Sequence, residues 1–465
     1  MTCVEAVSYY LEKISASSHL NAWLEVFEAE ALERAETLDG QRQSGLKPGK
    51  LHGVVIGLKD VICFKGHKVS ASSRILEGFT SLYNATATQR LLDEGAIIIG
   101  RQNCDEFAMG SSNENSAFGP VKNPIDEERV PGGSSGGSAV AVQTGSCMIS
   151  LGSDTGGSVR QPADFCGIIG LKPSYGCISR YGLIAYASSF DQIGIFAQTV
   201  EDVRLVLEVI AGPDEFDSTA YQKPNSAVNP KLLKDQKYRI CYFKNALEHP
   251  SLDRVIADEI KDFITALITA GNKAEAIDFE LLDYIVPAYY VLTTAEASSN
   301  LSRYDGIKYG YRNNRKDHGL TELYTSSRSE GFGPEVKRRI LLGTFVLSEG
   351  YYDAYFSKAQ RVRKLVVDRT KSIFNEFDAI ILPTVPSPAY KIGEKKDPVE
   401  IFLADIYTVY ANLAGIPAIS LPLFKNEQGL PFGIQVMAAQ HNEELLLHLS
   451  ELFMQLKQPK MQLSL

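Results

Sequence analysis

The run CMISLGSDTGGSVRQPA, from Cys147 to Ala163, places an apolar strand ahead of Gly152, Ser153, Asp154, Thr155, Gly156, Gly157 and Ser158. Successive glycines let a backbone turn tightly and aim several N–H groups into one concavity, which favours an anion. Two anions suit such a nest: a phosphate, or the oxyanion of an acyl-transfer intermediate. A phosphate cradle calls for GxxxxGK[ST] or GxGxxG opening a helix, and neither pattern occurs here. An oxyanion hole calls for a nucleophile beside it, and Ser158 supplies one. A serine hydroxyl attacks only when a base takes its proton. No histidine lies in this region, but a lysine serves as base when burial holds its amine neutral. Lys59 ends the apolar run HGVVIGL, where a surface lysine is out of place. Taken singly, Lys59 reads as a snorkelling residue or a partner for Asp60, and Ser134 within PGGSSGGS reads as a turn serine.

Other chemistries are narrowed by what the chain lacks. Its seven cysteines are odd in number, scattered and without a CxxC pair, which argues against a disulfide framework or a zinc ribbon. Cys147 reads as a small buried hydrophobe. The seven histidines form no HExxH, and nothing points to a Ser-His-Asp triad. Forty-seven basic residues against fifty-six acidic ones give a formal net charge of -9 with no long basic run. That balance argues against a chain that grips nucleic acid mainly through its own phosphate contacts, so any RNA would have to be held largely by a partner. With no apolar stretch of about 18 residues and no basic-then-apolar start, the expectation is a cytoplasmic protein without a membrane span.

The glycines are unevenly spread. Eleven of the 37 lie at 132, 133, 136, 137, 145, 152, 156, 157, 167, 170 and 176, in a stretch with only four charges. Composition alone reads a tract such as PGGSSGGS as a flexible linker. The elements around it read otherwise. The first 45 residues carry helical spacing at Val4, Val7, Leu11 and Ile14, and again at Trp23, Val26, Phe27 and Ala31, which predicts two helices. The continuous apolar run ending at Lys59 predicts a buried strand. A helix from Thr86 to Glu94, a strand run from Ala96 to Ile99, and a helix opened by Thr199 with Asp202 as capping box follow. The polar, Pro-containing connection 212–230 is a candidate subdomain boundary. Beyond it, YRICYF, a helix from Arg254 to Ala270 and AEAIDF continue the alternation. A Tyr-rich helical section at 281–369 precedes strand runs in FDAIILPTVP, GIPAISLPL and GIQVMAA and a closing helix at Glu443 to Met454. Strands spread along the whole chain favour one interlocked mixed sheet over separable domains.

Together, PGGSSGGSAVAV at 131–142, GSDTGGSVRQPA at 152–163, the spacing from Ser134 to Ser158 and the upstream GLKD lysine resemble the amidase signature enzymes. The resemblance implies an α/β amidase signature fold: a large central mixed β-sheet flanked by helices on both faces, in one domain over 1–465. Within it, 1–48 forms an N-terminal helical segment, 131–177 the Gly/Ser-rich catalytic core and 281–369 the substrate-pocket section. It also implies Ser158 as nucleophile, Ser134 as bridging serine after a cis peptide bond with Gly133, and Lys59 as base. Thr155, Gly156, Gly157 and Ser158 would supply the oxyanion amides, with Asp154 and Arg160 bracing the loop.

Further segments at 105–124, 171–194, 295–310, 336–348 and 405–422 resemble the A-subunit family of glutamyl-tRNA(Gln)/aspartyl-tRNA(Asn) amidotransferases. That resemblance implies glutamine held by Arg339, with Arg338 the second choice, and by Asp405. A guanidinium suits the α-carboxylate and a carboxylate suits the α-ammonium group. Either Tyr289 or Tyr290 would line the same pocket, and the departures Asn113 and Phe190 would touch only its edges. It further implies no cofactor or metal in this chain. Ammonia would pass to a partner, the B subunit, that uses ATP and Mg2+ on Glu-tRNA(Gln), or on Asp-tRNA(Asn), with a small C subunit completing a heterotrimer. Two rivals stand beside this reading: a stand-alone amidase acting on another small amide, and a non-catalytic scaffold, against which the intact Lys59, Ser134 and Ser158 weigh.

Overall fold

A computed structural model describes residues 1–221, 236–315, 319–395, 397 and 404–457. Its strands are β1 (Trp23–Val26), β2 (Val55–Lys59), β3 (Ile97–Gln102), β4 (Ile149–Asp154), β5 (Ile169–Lys172), β6 (Gln192–Ala197), β7 (Arg239–Phe243), β8 (Lys273–Ile277), β9 (Ala379–Pro383), β10 (Ala418–Lys425) and β11 (Pro431–Met437). They join into a single sheet of order β1-β3-β2-β4-β6-β5-β10-β11-β9-β7-β8. β2 runs parallel to both β3 and β4, whereas β4, β6, β5, β10, β11 and β9 pair antiparallel in turn. The mixed pattern follows from the connections, since parallel neighbours need crossover helices and antiparallel ones do not.

Strand residues alternate between two hydrophobic cores, as the pleat requires. Ile56, Leu58, Ile98, Ile149 and Leu151 face one core, while Val55, Ile97 and Ile99 face the other. The first core takes apolar side chains from helices Thr86–Asp93, Val200–Ile210, Arg254–Thr269 and Leu282–Asn300. The second takes them from Cys3–Ala16, Glu28–Gln43, Gly136–Gln143 and Arg160–Cys166. Helices therefore cover both faces. All seven cysteines are buried, Cys147 among them as a core residue.

One expected element differs. Trp23–Val26, read as the start of a second helix, is the edge strand β1, and the helix begins only at Glu28. Asn21 takes a left-handed turn (φ 58°), and Glu25 and Val26 pair with Arg101 and Gly100 of β3. The open edge of β3 overrides a helical spacing too short to decide the matter. Of the connection at 212–230, residues 222–230 lie outside the described residues. Thr199 accepts from the Asp202 amide at 3.1 Å and opens its helix as expected, but the Asp202 carboxylate accepts from the Thr199 hydroxyl at 2.6 Å and not from its amide, so the expected capping box is only half made.

Because β2 and β4 are parallel neighbours, their carboxyl ends lie on the same side of the sheet. This brings Lys59, the last residue of β2, beside the loop after Asp154, the last residue of β4. Lys59 shares a face with Val55, the face covered by helix Gly136–Gln143, whose leading residues are Ser134 and Ser135.

Candidate active site

Lys59 is fully buried. Its Nζ lies 2.7 Å from Ser134 Oγ, 2.8 Å from Ser135 Oγ and 2.9 Å from Ser153 Oγ. Burial drives its amine down to about 8, with Asp105, Asp154 and Asp191 opposing a deeper fall. Asp60 is not its partner: that carboxylate pairs with Arg101 at 2.6 Å and accepts from Ser70 and Ser72. The peptide bond between Gly133 and Ser134 is cis. The Gly133 amide donates to Gln161 Oε1 at 3.1 Å, and the Ser134 carbonyl accepts from the Asp105 amide at 3.1 Å.

Ser158 is nearly buried, at 8% exposure, and its hydroxyl makes no hydrogen bond among the described residues. Its carbonyl accepts from the Ser135 amide at 3.2 Å, which ties the loop after β4 to the segment of Ser134. The amides of Thr155, Gly156 and Ser158 have no acceptor among the described residues. Gly157 departs from expectation: its amide donates to Asp154 Oδ1 at 2.8 Å, so the open donors are the other three. The conformation of Gly157, at φ +127°, leaves no room for a side chain, because a Cβ would fall 2.3 Å from Thr408 Oγ1. Thr408 in turn donates to the Gly156 carbonyl at 2.7 Å.

Asp154 and Arg160 form a buried brace beneath this loop. Arg160 reaches Asp154 at 3.1 Å, the Thr408 carbonyl at 2.8 Å, Gln435 at 2.7 Å and Asn412 at 2.6 Å. Burial raises the Asp154 carboxyl, but Arg160, Lys172 and Asn412 outweigh it and hold the group at about 2. Thr155 Oγ1 donates to Asp191 at 2.7 Å, fixing the loop's first residue from the opposite side.

A second cluster adjoins the loop. Arg339, buried on helix Pro334–Val346, donates through Nε to Glu335 at 2.8 Å and through Nη1 to Tyr186 Oη at 2.7 Å. Its guanidinium carbon lies 5.4 Å from the Tyr290 ring centroid. Arg338 pairs with the same Glu335 but is 40% exposed at its side chain, so Arg339 is the inward member. Asp405 accepts from Tyr290 Oη at 2.7 Å and from Ser111 Oγ at 2.9 Å, and burial lifts its carboxyl to about 6. Tyr289 meets Phe190 edge to face, and its Oη stands 2.4 Å from where a Gly156 Cβ would be. Both tyrosines therefore border the cluster, Tyr290 at its charged end and Tyr289 over the loop. Asn113 packs at Gly136 and Gly137, its Oδ1 accepting the Gly137 amide at 3.2 Å.

Sequence reasoning missed Ser135, Ser153, Ser111, Tyr186, Thr408 and Asp191. Their partners lie up to 294 positions away, as for Ser111 and Asp405, and no local pattern marks such pairs. Among the described residues, no group of three or more His, Cys, Asp or Glu side chains converges as metal ligands, and no helix is long and apolar enough to cross a membrane.

The family model for amidases matches residues 5–447. The chain is 49% identical over 459 residues to the A subunit of glutamyl-tRNA(Gln) amidotransferase from Chlorobium phaeobacteroides, covering 97% of this chain and 95% of that one. It is likewise 49% identical over 440 residues to the protein of that name in Chlorobaculum parvum, covering 94% and 91% of the two chains. The crystal structure of the A subunit of glutamyl-tRNA(Gln) amidotransferase from Thermotoga maritima superposes with a TM-score of 0.77 at 37% identity, over 97% of this chain and 93% of that one.

Proposed function

The chain belongs to the amidase family, and from that premise we propose that it is the glutamine-hydrolysing subunit of a tRNA-dependent amidotransferase. The observation that carries the reading is the fully buried Lys59 amine, 2.7 Å from the Ser134 hydroxyl, in a site that also holds an inward Arg339 and Asp405. Arg339 takes the α-carboxylate of glutamine and Asp405 its α-ammonium group, with Tyr290 and Ser111 fixing the aspartate.

Neutral Lys59 draws a proton through Ser134 from Ser158, whose oxygen bonds to the side-chain amide carbon of glutamine. The tetrahedral oxyanion is received by the amides of Thr155, Gly156 and Ser158. As the C–N bond breaks, the proton returns through Ser134 to the departing nitrogen and ammonia leaves. Water, deprotonated by the same relay, then releases glutamate and restores Ser158. The sum is glutamine plus water giving glutamate plus ammonia. The ammonia serves conversion of Glu-tRNA(Gln) to Gln-tRNA(Gln), and of Asp-tRNA(Asn) where that substrate is taken. The B subunit binds most of the tRNA and uses ATP and Mg2+, the C subunit completes the heterotrimer, and the complex works in the cytoplasm. This chain needs no cofactor of its own.

The test is Ser158→Ala in the complex with its partner subunits. Glutamine-dependent amidation of Glu-tRNA(Gln) should fall by at least about a thousandfold, whereas ammonia-dependent amidation persists. Retained glutamine use would overturn the assignment of the nucleophile. Vigorous hydrolysis of a non-glutamine amide by the chain alone would favour a stand-alone amidase.

A further inference from the structure

Glu106 is 3% exposed and has no role in the chemistry above. Both of its carboxylate oxygens accept from the Gly333 amide, at 2.8 and 3.1 Å, and one also takes the Ser73 hydroxyl. No cation lies within ion-pair distance of it among the described residues. A buried carboxylate facing only one N–H and one O–H is a costly way to satisfy two donors, since burial disfavours the charge. Burial correspondingly raises this carboxyl to about 7.

What it holds is specific. Gly333 is the N-cap of helix Pro334–Val346, and that helix carries Glu335 and Arg339. On its other side, Glu106 belongs to a loop that touches the rest of the site. Asp105 donates its amide to the Ser134 carbonyl at 3.1 Å, and Ser111 donates to Asp405 at 2.9 Å. The loop is backed by a second one at 70–73, and the pair is conformationally demanding. Phe107, Ala108 and Asn113 have φ of 51°, 59° and 63°, and Ala71 and Ser72 have 52° and 50°. Phe107 N–H donates to the Ala71 carbonyl at 2.8 Å across the two. Such backbone persists where surroundings over-determine it, often at functional sites.

We propose that Glu106 is a positioning residue: its carboxylate clamps the start of helix Pro334–Val346 to the loop pair and so sets Arg339 beside Asp405 and at the reach from Ser158 that bound glutamine must span. The inference rests on the reading of Arg339 as the carboxylate-binding group.

The experiment uses the full chain with its partner subunits. Glu106→Ala should raise the KM for glutamine about tenfold with a much smaller change in kcat, and Glu106→Gln, which keeps one acceptor for the Gly333 amide, should recover part of the loss. Gly333→Ala tests the same contact from the helix, because its Cβ would lie 2.3 Å from Glu106 Oε2. Alone it should raise KM, and in the Glu106→Ala background it should add nothing, since the obstructing carboxylate is gone. Hydrogen exchange at 333–337, measured without substrate, should quicken in Glu106→Ala. Unchanged exchange would overturn the clamp, and faster exchange with unchanged KM would overturn the positioning role. If Glu106→Ala does not fold, Glu106→Gln and Gly333→Ala decide alone. Should the wild-type complex hydrolyse no glutamine, the proposed function fails, while the exchange data still report on the clamp.

Discussion

The hydroxyl of Ser135 is already committed: it donates to the Ser153 carbonyl at 3.1 Å and accepts from the Ser153 amide at 3.3 Å. Lys59 must therefore donate to it, and a neutral amine so anchored has its lone pair left for another hydroxyl, of which Ser134 is the nearest at 2.7 Å. With burial holding Lys59 at about 8, the working form is the one above that pH. The kcat/KM for glutamine should climb through about 8, and at pH 7 roughly a tenth of the molecules carry the neutral amine. A profile level from pH 6 to 9 would remove Lys59 from the role of base. At the other end of the pocket, Asp405→Asn keeps the shape but removes the charge. A lost charge-assisted hydrogen bond of about 1.5–3 kcal/mol means KM raised about 10–150-fold, and steady-state kinetics showing an unaltered KM would refute the assignment. The residues behind both predictions were legible as motif positions. Ser135 was visible only as one more serine in a glycine-rich tract, and Ser111 and Tyr186 only as letters in longer matching segments. Their meaning comes from partners brought together by the sheet.

At the scale of the element, the short helix Arg160–Cys166 and the loop before it act as one piece because Arg160 pins them to residues 408, 412 and 435. The sequence marks Asp154 and Arg160 as braces. It does not reveal that the brace reaches β11, since Gln435 lies 275 positions from Arg160. Removing Arg160 leaves Asp154 buried without its counter-charge, so Arg160→Ala should cost about 3–5 kcal/mol in urea unfolding at pH 7. The sign with pH follows from Asp154. Its folded value of about 2 lies below the ordinary 3.8, so its contribution is present above the unfolded value and is lost as pH falls through about 2. The deficit of the variant should therefore shrink in acid, and a deficit independent of pH would show that packing, not charge, is what Arg160 supplies. Strand β1 shows the limit of local reading in the opposite sense. Four residues whose spacing permits a helix were claimed by the unpaired edge of β3, which no window of sequence contains.

For the whole molecule, the sheet order divides the strands into β1–β6 and β7–β11, and among the described residues these two sets of strands pair with each other where β5 meets β10, with Ala418, Ile419 and Ser420 opposite Lys172, Leu171 and Gly170. The candidate site straddles that seam. Lys59, Ser134 and Ser158 come from the first half, Arg339 and Asp405 from the second, and the fully buried Arg160 bridges them. Two halves that met weakly could not hold those groups in register, so we propose that the chain folds as one domain, as the spread of strands along the whole chain suggested. Trp23, the single tryptophan, sits on β1 at one end of the sheet and reports the far edge, whereas glutamine hydrolysis reports the centre and far-UV circular dichroism the whole. In a single cooperative unit the three urea transitions coincide. Leu171→Asp, placed at the seam, should lower all three midpoints together, because an unpaired charge there is buried against both halves. A Trp23 transition that precedes the loss of circular dichroism, or survives the seam variant unmoved, would divide the chain into separately folding parts and make the shared site a contact between them.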